Sequence, residues 1–280
     1  RPYQLRGLSW LKAVTDTGFG ACLADDMGLG KTVQLLALLQ HVQETQEVVD
    51  GRGPRFLVVC PTSVIGNWYR EVARFTPGLR VVIHHGPTRA GDAEALAGRM
   101  DGTNPAGGAI LLTSYALVRG DEDLIGEPVW DAVVLDEAQN IKNPEAAQSQ
   151  AARRLKARRK MALTGTPVEN RLSELWSIMD FLNSGLLQSR TQFKRTFAIP
   201  IERYGDEEQA DLLRRVTAPF VLRRLKTDPT IAPDLPDKIE TVRYCPLKRE
   251  QAALYQQSID RGLEEIASMA QGIERRGRIL

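Results

Sequence analysis

The sequence predicts an α/β chain: a central parallel sheet flanked by helices, followed by an α-helical appendage. Three observations carry this. Short apolar runs alternate with helical stretches through about residue 170, the pattern of strands covered by helices on both faces. Two of those runs end in segments rich in phosphate- and metal-binding residue types, and in open α/β sheets ligands bind beyond the carboxyl ends of strands. After residue 170 the helical stretches follow one another without intervening strands.

Taken in order, candidate strands occupy 21–25, 56–60, 79–84, 109–113, 131–135 and 160–164. Runs such as Trp130-Asp131-Ala132-Val133-Val134-Leu135 have the near-continuous apolar character of a strand buried on both faces. Helices fill the gaps at 32–43, 63–75, 89–99 and 145–156, with exposed loops at 44–54 and 102–108. Residues 171–183, 189–197 and 206–217 read as further helices. Pro219, Pro229, Pro233 and Pro236 then mark an irregular linker, followed by a strand-like run at 238–244 and a polar helix from about 247 to 270. The chain thus divides into an α/β lobe at 1–170, a helical protrusion at 171–235, and a linker toward a further lobe at 236–280.

The first chemistry-bearing segment is Asp25-Asp26-Met27-Gly28-Leu29-Gly30-Lys31-Thr32, between a strand and a helix. Gly28 and Gly30 let the chain curl so that successive N–H groups point at phosphate oxygens. The helix N-terminus adds its partial positive charge. Lys31 is suited to the β- and γ-phosphates of a nucleoside triphosphate, and the Thr32 hydroxyl to magnesium. The usual phosphate-loop pattern has Gly five residues before Gly30, where this chain has Asp25. A Gly-containing turn with a solvated lysine is the plainer alternative.

The second segment removes that alternative. Asp136 and Glu137 close the apolar run 131–135. A carboxylate at such a strand end can hold a hydrated magnesium ion, and its neighbour can orient and deprotonate an attacking water. Adjacent acids after a strand are commonplace and usually just solvated. Combined with Lys31 and Thr32 they specify a nucleotide triphosphatase, with Lys31, Asp136 and Glu137 as the catalytic set and a nucleoside triphosphate and Mg²⁺ as cofactors.

Composition sets the frame. At about 150 residues per domain, 280 residues suggest two domains. Apolar residues make up 42%, and no apolar run reaches the ~18 residues of a membrane helix. The chain begins with Arg1 rather than Met, which reads as part of a longer protein. Three widely spaced cysteines and three histidines offer no metal-ligand spacing. Six cations in the eight residues 153–160 could form a phosphate-binding stripe. They fall at a helix C-terminus, away from the catalytic edge, so a solvated face is the better reading.

Several further segments carry a resemblance. Arg1-Pro2-Tyr3-Gln4-Leu5-Arg6-Gly7, the loop 25–32, Val59-Cys60-Pro61-Thr62-Ser63-Val64-Ile65-Gly66-Asn67-Trp68, Leu111-Leu112-Thr113-Ser114-Tyr115, Asp136-Glu137-Ala138-Gln139 and Leu163-Thr164-Gly165-Thr166-Pro167-Val168-Glu169-Asn170 occur in that order. So do Arg223-Arg224-Leu225-Lys226 and Leu235-Pro236-Asp237-Lys238. Together they resemble the first RecA-like lobe of the Swi/Snf ATPases of helicase superfamily two, with a bacterial flavour. Gln139 stands where many relatives have His.

The resemblance implies an ATP-dependent double-stranded DNA translocase or remodeller, with ATP as the nucleotide cofactor. Gln4 would contact adenine, an amide offering donor and acceptor side by side. Asp26, Met27, Gly28, Leu29, Gly30, Lys31 and Thr32 would hold the phosphates, and Thr32 and Asp136 the magnesium. Thr62, Ser63, Asn67, Thr113, Ser114, Arg223 and Arg224 would meet the DNA backbone, positioning it without reading sequence. For the hydroxyls, helix capping is the plainer role. Gln139, Thr164 and Thr166 would couple the magnesium site to lobe movement. Arginines from the protein's own second lobe would complete the site, and RNA polymerase or another DNA-bound protein would be the displaced partner. An RNA polymerase recycling ATPase and an ATP-controlled binding module without efficient turnover stay open as alternatives. No membrane role is implied; the place of action would be the bacterial cytoplasm and nucleoid, or the nucleus in a eukaryote.

Overall fold

The computed structural model describes residues 1–46, 48, 51–165, 171–228, 231, 241, 243 and 245–268. Residues 1–234 form one compact unit and 235–280 a second. The first unit opens with helix α1 (Pro2–Asp16) and strand β1 (Ala21–Leu23), followed by α2 (Lys31–Thr45), β2 (Arg55–Cys60) and α3 (Ile65–Phe75). Then come β3 (Arg80–His84), α4 (Ala93–Asp101), β4 (Ala109–Ser114), α5 (Tyr115–Gly120), α6 (Glu122–Gly126) and β5 (Trp130–Asp136). It continues through α7 (Ala147–Arg154), β6 (Ala157–Leu163), α8 (Leu172–Leu182), α9 (Arg190–Phe193), α10 (Ile199–Tyr204), α11 (Glu207–Thr217) and β7 (Val221–Leu222). Among the described residues of the second unit, α12 (Arg249–Ser268) is the regular element.

Seven strands form one parallel sheet in the order β3-β4-β2-β5-β6-β1-β7. Successive residues of a strand face opposite sides, and the core divides accordingly. Leu57, Val59, Val133 and Leu135 face one layer, with Leu96 and Met100 of α4, Val118 of α5 and Trp176 and Phe181 of α8. Phe56, Val58, Ala132 and Val134 face the other, with Leu11 of α1, Leu35 and Leu39 of α2 and Trp68 of α3. Both faces being covered is why the strands read as continuous apolar runs. No described helix is long and apolar enough to cross a membrane.

The expected α/β architecture is present, with instructive differences. The helices after residue 171 are built into the sheet's own core through Leu175, Ile178, Phe193, Phe197 and Leu213. The chain then returns as β7, which pairs with β1 at Cys22↔Val221 and Leu23↔Leu222. Two residues hemmed by Pro219 and Arg223 present no periodicity from which to read a strand. The expected strand at 160–164 begins earlier, at Ala157, because its cations find partners. Arg158 pairs with Asp131 at 3.6 Å and Arg159 with Asp16 at 3.5 Å. The Lys160 ammonium lies 5.1 Å from the centre of the Phe181 ring. On α7, Arg153 donates to the Pro144 carbonyl at 2.9 Å and pairs with Asp180, while Arg154 pairs with Glu122. Arg153, Arg159 and Lys160 are thus tied into the fold, while Arg154, Lys156 and Arg158 stay exposed, so the expected solvated face holds for half of the run. The strand-like run 238–244 falls mostly outside the described residues.

Trp130 anchors the start of β5. It is 2% exposed and donates from Nε1 to the Ile125 carbonyl at 3.0 Å. Trp130→Ala should cost about 3–5 kcal/mol, the range for deleting a buried aromatic side chain. Hydrogen exchange of β2 and β5 amides would show the loss as reduced protection; protection unchanged within about 1 kcal/mol would mean that the sheet does not depend on this anchor.

Candidate active site

Three adjacent strands end level. The register pairs Asp136 of β5 with Leu163 of β6, and Leu163 with Leu23 of β1. With neighbouring strands about 4.8 Å apart, the segments that follow Leu23 and Leu163 and the acids at Asp136 share one short stretch of carboxyl edge.

The segment after Leu23 is the glycine-rich loop. Gly28 and Gly30 have φ of 84° and 78°, a left-handed backbone that side-chain-bearing residues enter only at a cost. Gly30 caps α2 without any side-chain hydrogen bond. The first amides of α2 thus face the loop with no side-chain cap, the arrangement that suits an anion. Lys31 opens the helix and Thr32 follows, both half-buried. The Lys31 ammonium donates to the Asp25 carbonyl at 2.7 Å. Burial lowers its pKa most, while Glu137, Asp25, Asp136 and Asp26 pull it back up. Arg224 pairs with Asp25, while Asp26, Asp136 and Glu137 leave acidic surroundings about the ammonium that suit a divalent cation. The Thr32 hydroxyl and the Asp136 carboxylate supply the hard oxygens that such a cation prefers.

Helix α1 closes the other side of the loop. Tyr3 donates from its hydroxyl to the Leu29 carbonyl at 3.1 Å, and Gln4 from Nε2 to the same oxygen at 3.3 Å. A Cβ on Gly30 would lie 2.4 Å from the Gln4 amide nitrogen, so a side chain there would displace Gln4 as well as strain the left-handed backbone.

Asp136 and Glu137 are held by different means. Asp136 is half-buried, and its Oδ2 accepts from the Trp68 indole at 2.7 Å while Oδ1 accepts from the Glu137 amide at 3.0 Å. Burial raises its pKa most; the Trp68 bond opposes this and the Glu137 charge adds to it. Tyr115 donates to the Asp136 carbonyl at 2.7 Å. Glu137 adopts a left-handed backbone with φ 49°, uncommon for a non-glycine residue and worth a functional question. Gln139 donates from Nε2 to Glu137 Oε2 at 2.7 Å and accepts from the Thr164 hydroxyl at 2.9 Å. The acid pair and the residue that follows β6 are thereby joined by one hydrogen-bonded chain.

The sequence-derived residues fall into three groups. Gln4, the loop 26–32, Asp136, Glu137, Gln139 and Thr164 converge on this edge; Thr166 lies outside the described residues. Among the DNA-backbone candidates, Thr62, Ser63, Asn67 and Arg223 are exposed, the first three just beyond β2. Thr113 and Ser114 are buried, and the Thr113 hydroxyl is spent on the His84 carbonyl at 3.1 Å. Arg224 points inward onto Asp25. Thr113 and Ser114, at the buried end of β4, and Arg224, committed to Asp25, offer little side-chain surface for a nucleic acid to meet. Trp68, Tyr115 and Asp25 contribute to the site although the sequence alone assigned them no role in it. Their signals were present as a polar-tipped aromatic after a strand and as a loop position that departs from glycine.

A family model described as the SNF2-related domain matches residues 3–279. The chain belongs to the SNF2-related family. The YwqA protein of Bacillus subtilis is 44% identical over 281 residues, covering 100% of this chain and 29% of that protein. Human INO80 is 36% identical over 264 residues, covering 91% of this chain and 16% of the relative. Among solved structures, the Sulfolobus solfataricus SWI2/SNF2 ATPase core in complex with dsDNA superimposes with a TM-score of 0.72 at 43% identity. That match covers 100% of this chain and 55% of the core; the same core domain without DNA gives 0.70 at 42%. This SNF2-related chain thus spans under a third of its curated relatives and about half of the solved cores.

Because burial outweighs its hydrogen bonds, Asp136 should titrate above the ordinary carboxylate value of 3.8. Trp68→Phe removes a donor that favours the charged form and should move the midpoint further up. Carboxyl-carbon NMR titration of the two proteins would test this, and an unchanged midpoint in the variant would remove the indole from the acid's electrostatics.

Proposed function

We propose that this chain is the first ATP-binding lobe of a Swi/Snf-type ATP-dependent translocase or remodeller of double-stranded DNA. The observation that carries the reading is the convergence of Lys31 and Thr32 with Asp136 and Glu137 on one level stretch of sheet edge. The backbone of 27–30 and the α2 amides hold phosphate oxygens, Lys31 offsets their charge, and Gln4 meets the adenine edge. Thr32 and Asp136 hold Mg²⁺, which when bound neutralises charge on the phosphate oxygens. Glu137 orients and deprotonates the attacking water. Gln139, bridging Glu137 to Thr164, relays the state of the site toward the segment after β6.

DNA as the track is supported by two relatives. The Sulfolobus core was solved with dsDNA, and YwqA carries the name of an ATP-dependent helicase/translocase. Exposed Thr62, Ser63 and Asn67, together with Arg223, suit phosphate oxygens without base readout. The protein's own second lobe supplies the remaining arginines, and the place of action is wherever the DNA is, nucleoid or nucleus.

Glu137→Gln keeps shape and hydrogen bonding but removes the base. In the full-length protein, a fluorescent ATP analogue should bind as in wild type while DNA-stimulated phosphate release falls by roughly 10²-fold or more. Retained turnover would put the base on another residue.

DNA held through hydroxyls, amides and cations on phosphates should bind without sequence preference and weaken steeply with salt. Gel shifts on unrelated duplexes across a salt series measure both properties. A strong preference for one sequence at fixed salt would require direct base readout.

A further inference from the structure

Asp25 is unusual twice. It stands where a phosphate loop ordinarily has glycine, and it is completely buried at 0% exposure. Its partner comes from far along the chain. Arg224, with a side chain 9% exposed, donates from Nε to Asp25 Oδ1 at 2.9 Å and from Nη2 to Oδ2. This is the two-pronged geometry that a guanidinium provides and an ammonium cannot.

The same guanidinium reaches both sides of the loop. Nη2 also donates to Gln34 Oε1 of α2 at 2.7 Å, and Nη1 to the Tyr3 carbonyl of α1. Gln34 in turn donates to the Gly30 carbonyl at 3.1 Å and to Asp25 Oδ2 at 3.4 Å. One side chain therefore ties the residue before the loop, the helix after it, and the helix that carries Gln4. Backbone bonds repeat the connection: the Asp26 amide donates to the Arg224 carbonyl at 3.0 Å, and the Lys226 amide to Asp26 Oδ2 at 2.9 Å. Lys226 also brings its ammonium to the crest of the loop, where a Cβ on Gly28 would lie 3.0 Å from Nζ.

Balancing a buried carboxylate needs only a counter-charge. Three anchors in fixed directions do more, because they restrict the loop's flanks before any ligand arrives, and such preorganisation appears as affinity. We infer that Arg224, paired with Asp25, is a positioning residue for the phosphate loop, holding the flanks of 26–30 in the geometry that grips a triphosphate. This rests on the reading of 25–32 as a triphosphate site.

The test measures MgATP affinity and melting temperature on the full-length protein for wild type, Arg224→Lys, Arg224→Met, and the double variant Asp25→Asn/Arg224→Met. Arg224→Lys should weaken MgATP by roughly 10-fold and Arg224→Met by on the order of 10²-fold. The double variant leaves no buried charge unpaired. It should regain the wild-type melting temperature while MgATP stays at least about 10-fold weaker. If Arg224→Met unfolds, Arg224→Lys and the double variant carry the test. A double variant that binds MgATP as tightly as wild type would overturn the inference and leave the pair as a stabilising contact alone. A wild-type protein that binds no MgATP would instead remove the phosphate-site reading, and the inference with it.

Discussion

The register of a parallel sheet is the constraint on which everything else in this molecule rests. Because β5, β6 and β1 lie side by side and end level, three loops that are distant in sequence open onto the same few ångströms. A slip of one residue in the β5–β6 pairing would turn the side chains of β5 to the opposite layers, exchanging what Leu135 and Val134 bury. The two apolar layers therefore guard the register, and the register guards the site. Large buried anchors on both faces, Trp130 and Trp68 among them, make a slip costly.

Within that frame the site concentrates features that stability alone would not select. One half-buried ammonium sits among four acidic side chains. Glu137 holds a left-handed backbone, a conformation that costs a non-glycine residue on the order of 1–3 kcal/mol. Asp25 and Arg224 form a buried ion pair, whose desolvation offsets much of its attraction. A lobe evolved only to fold would do without all three. Their clustering at one end of one sheet marks where packing has been traded for chemistry.

Much of this was legible in the sequence, for identifiable reasons. The strands announced themselves because burial on both faces demands unbroken apolar runs, and the loop and acid pair because their residue types have few other uses together. What escaped was whatever depends on long-range pairing. β7 is two residues long and exists only because β1 offers an edge. Arg223 and Arg224 are adjacent and chemically identical, yet one is exposed and the other has a side chain turned inward onto Asp25; only the backbone beyond the sheet edge decides which faces in. Thr113 looked like a surface hydroxyl after a strand, but the neighbouring β3 supplies the His84 carbonyl that occupies it. Arg153 and Arg159 looked solvated because their acidic partners, Asp180 and Asp16, come from distant places in the chain.

The return of the chain to β1 also has a consequence for how the protein is made. Arg224 and Asp25 are separated by 199 residues, so the ribosome has long since released the glycine-rich loop when its brace is still unsynthesised. The inner strands and the helices of both layers can collapse as they emerge, but β1 keeps an open edge and Asp25 lacks its counter-charge until the last turn of α11 has passed. Closing so long a loop is slow relative to local contacts. The glycine-rich loop is thus translated long before the residue that braces it, and its flanks stay unbraced until Arg224 has emerged.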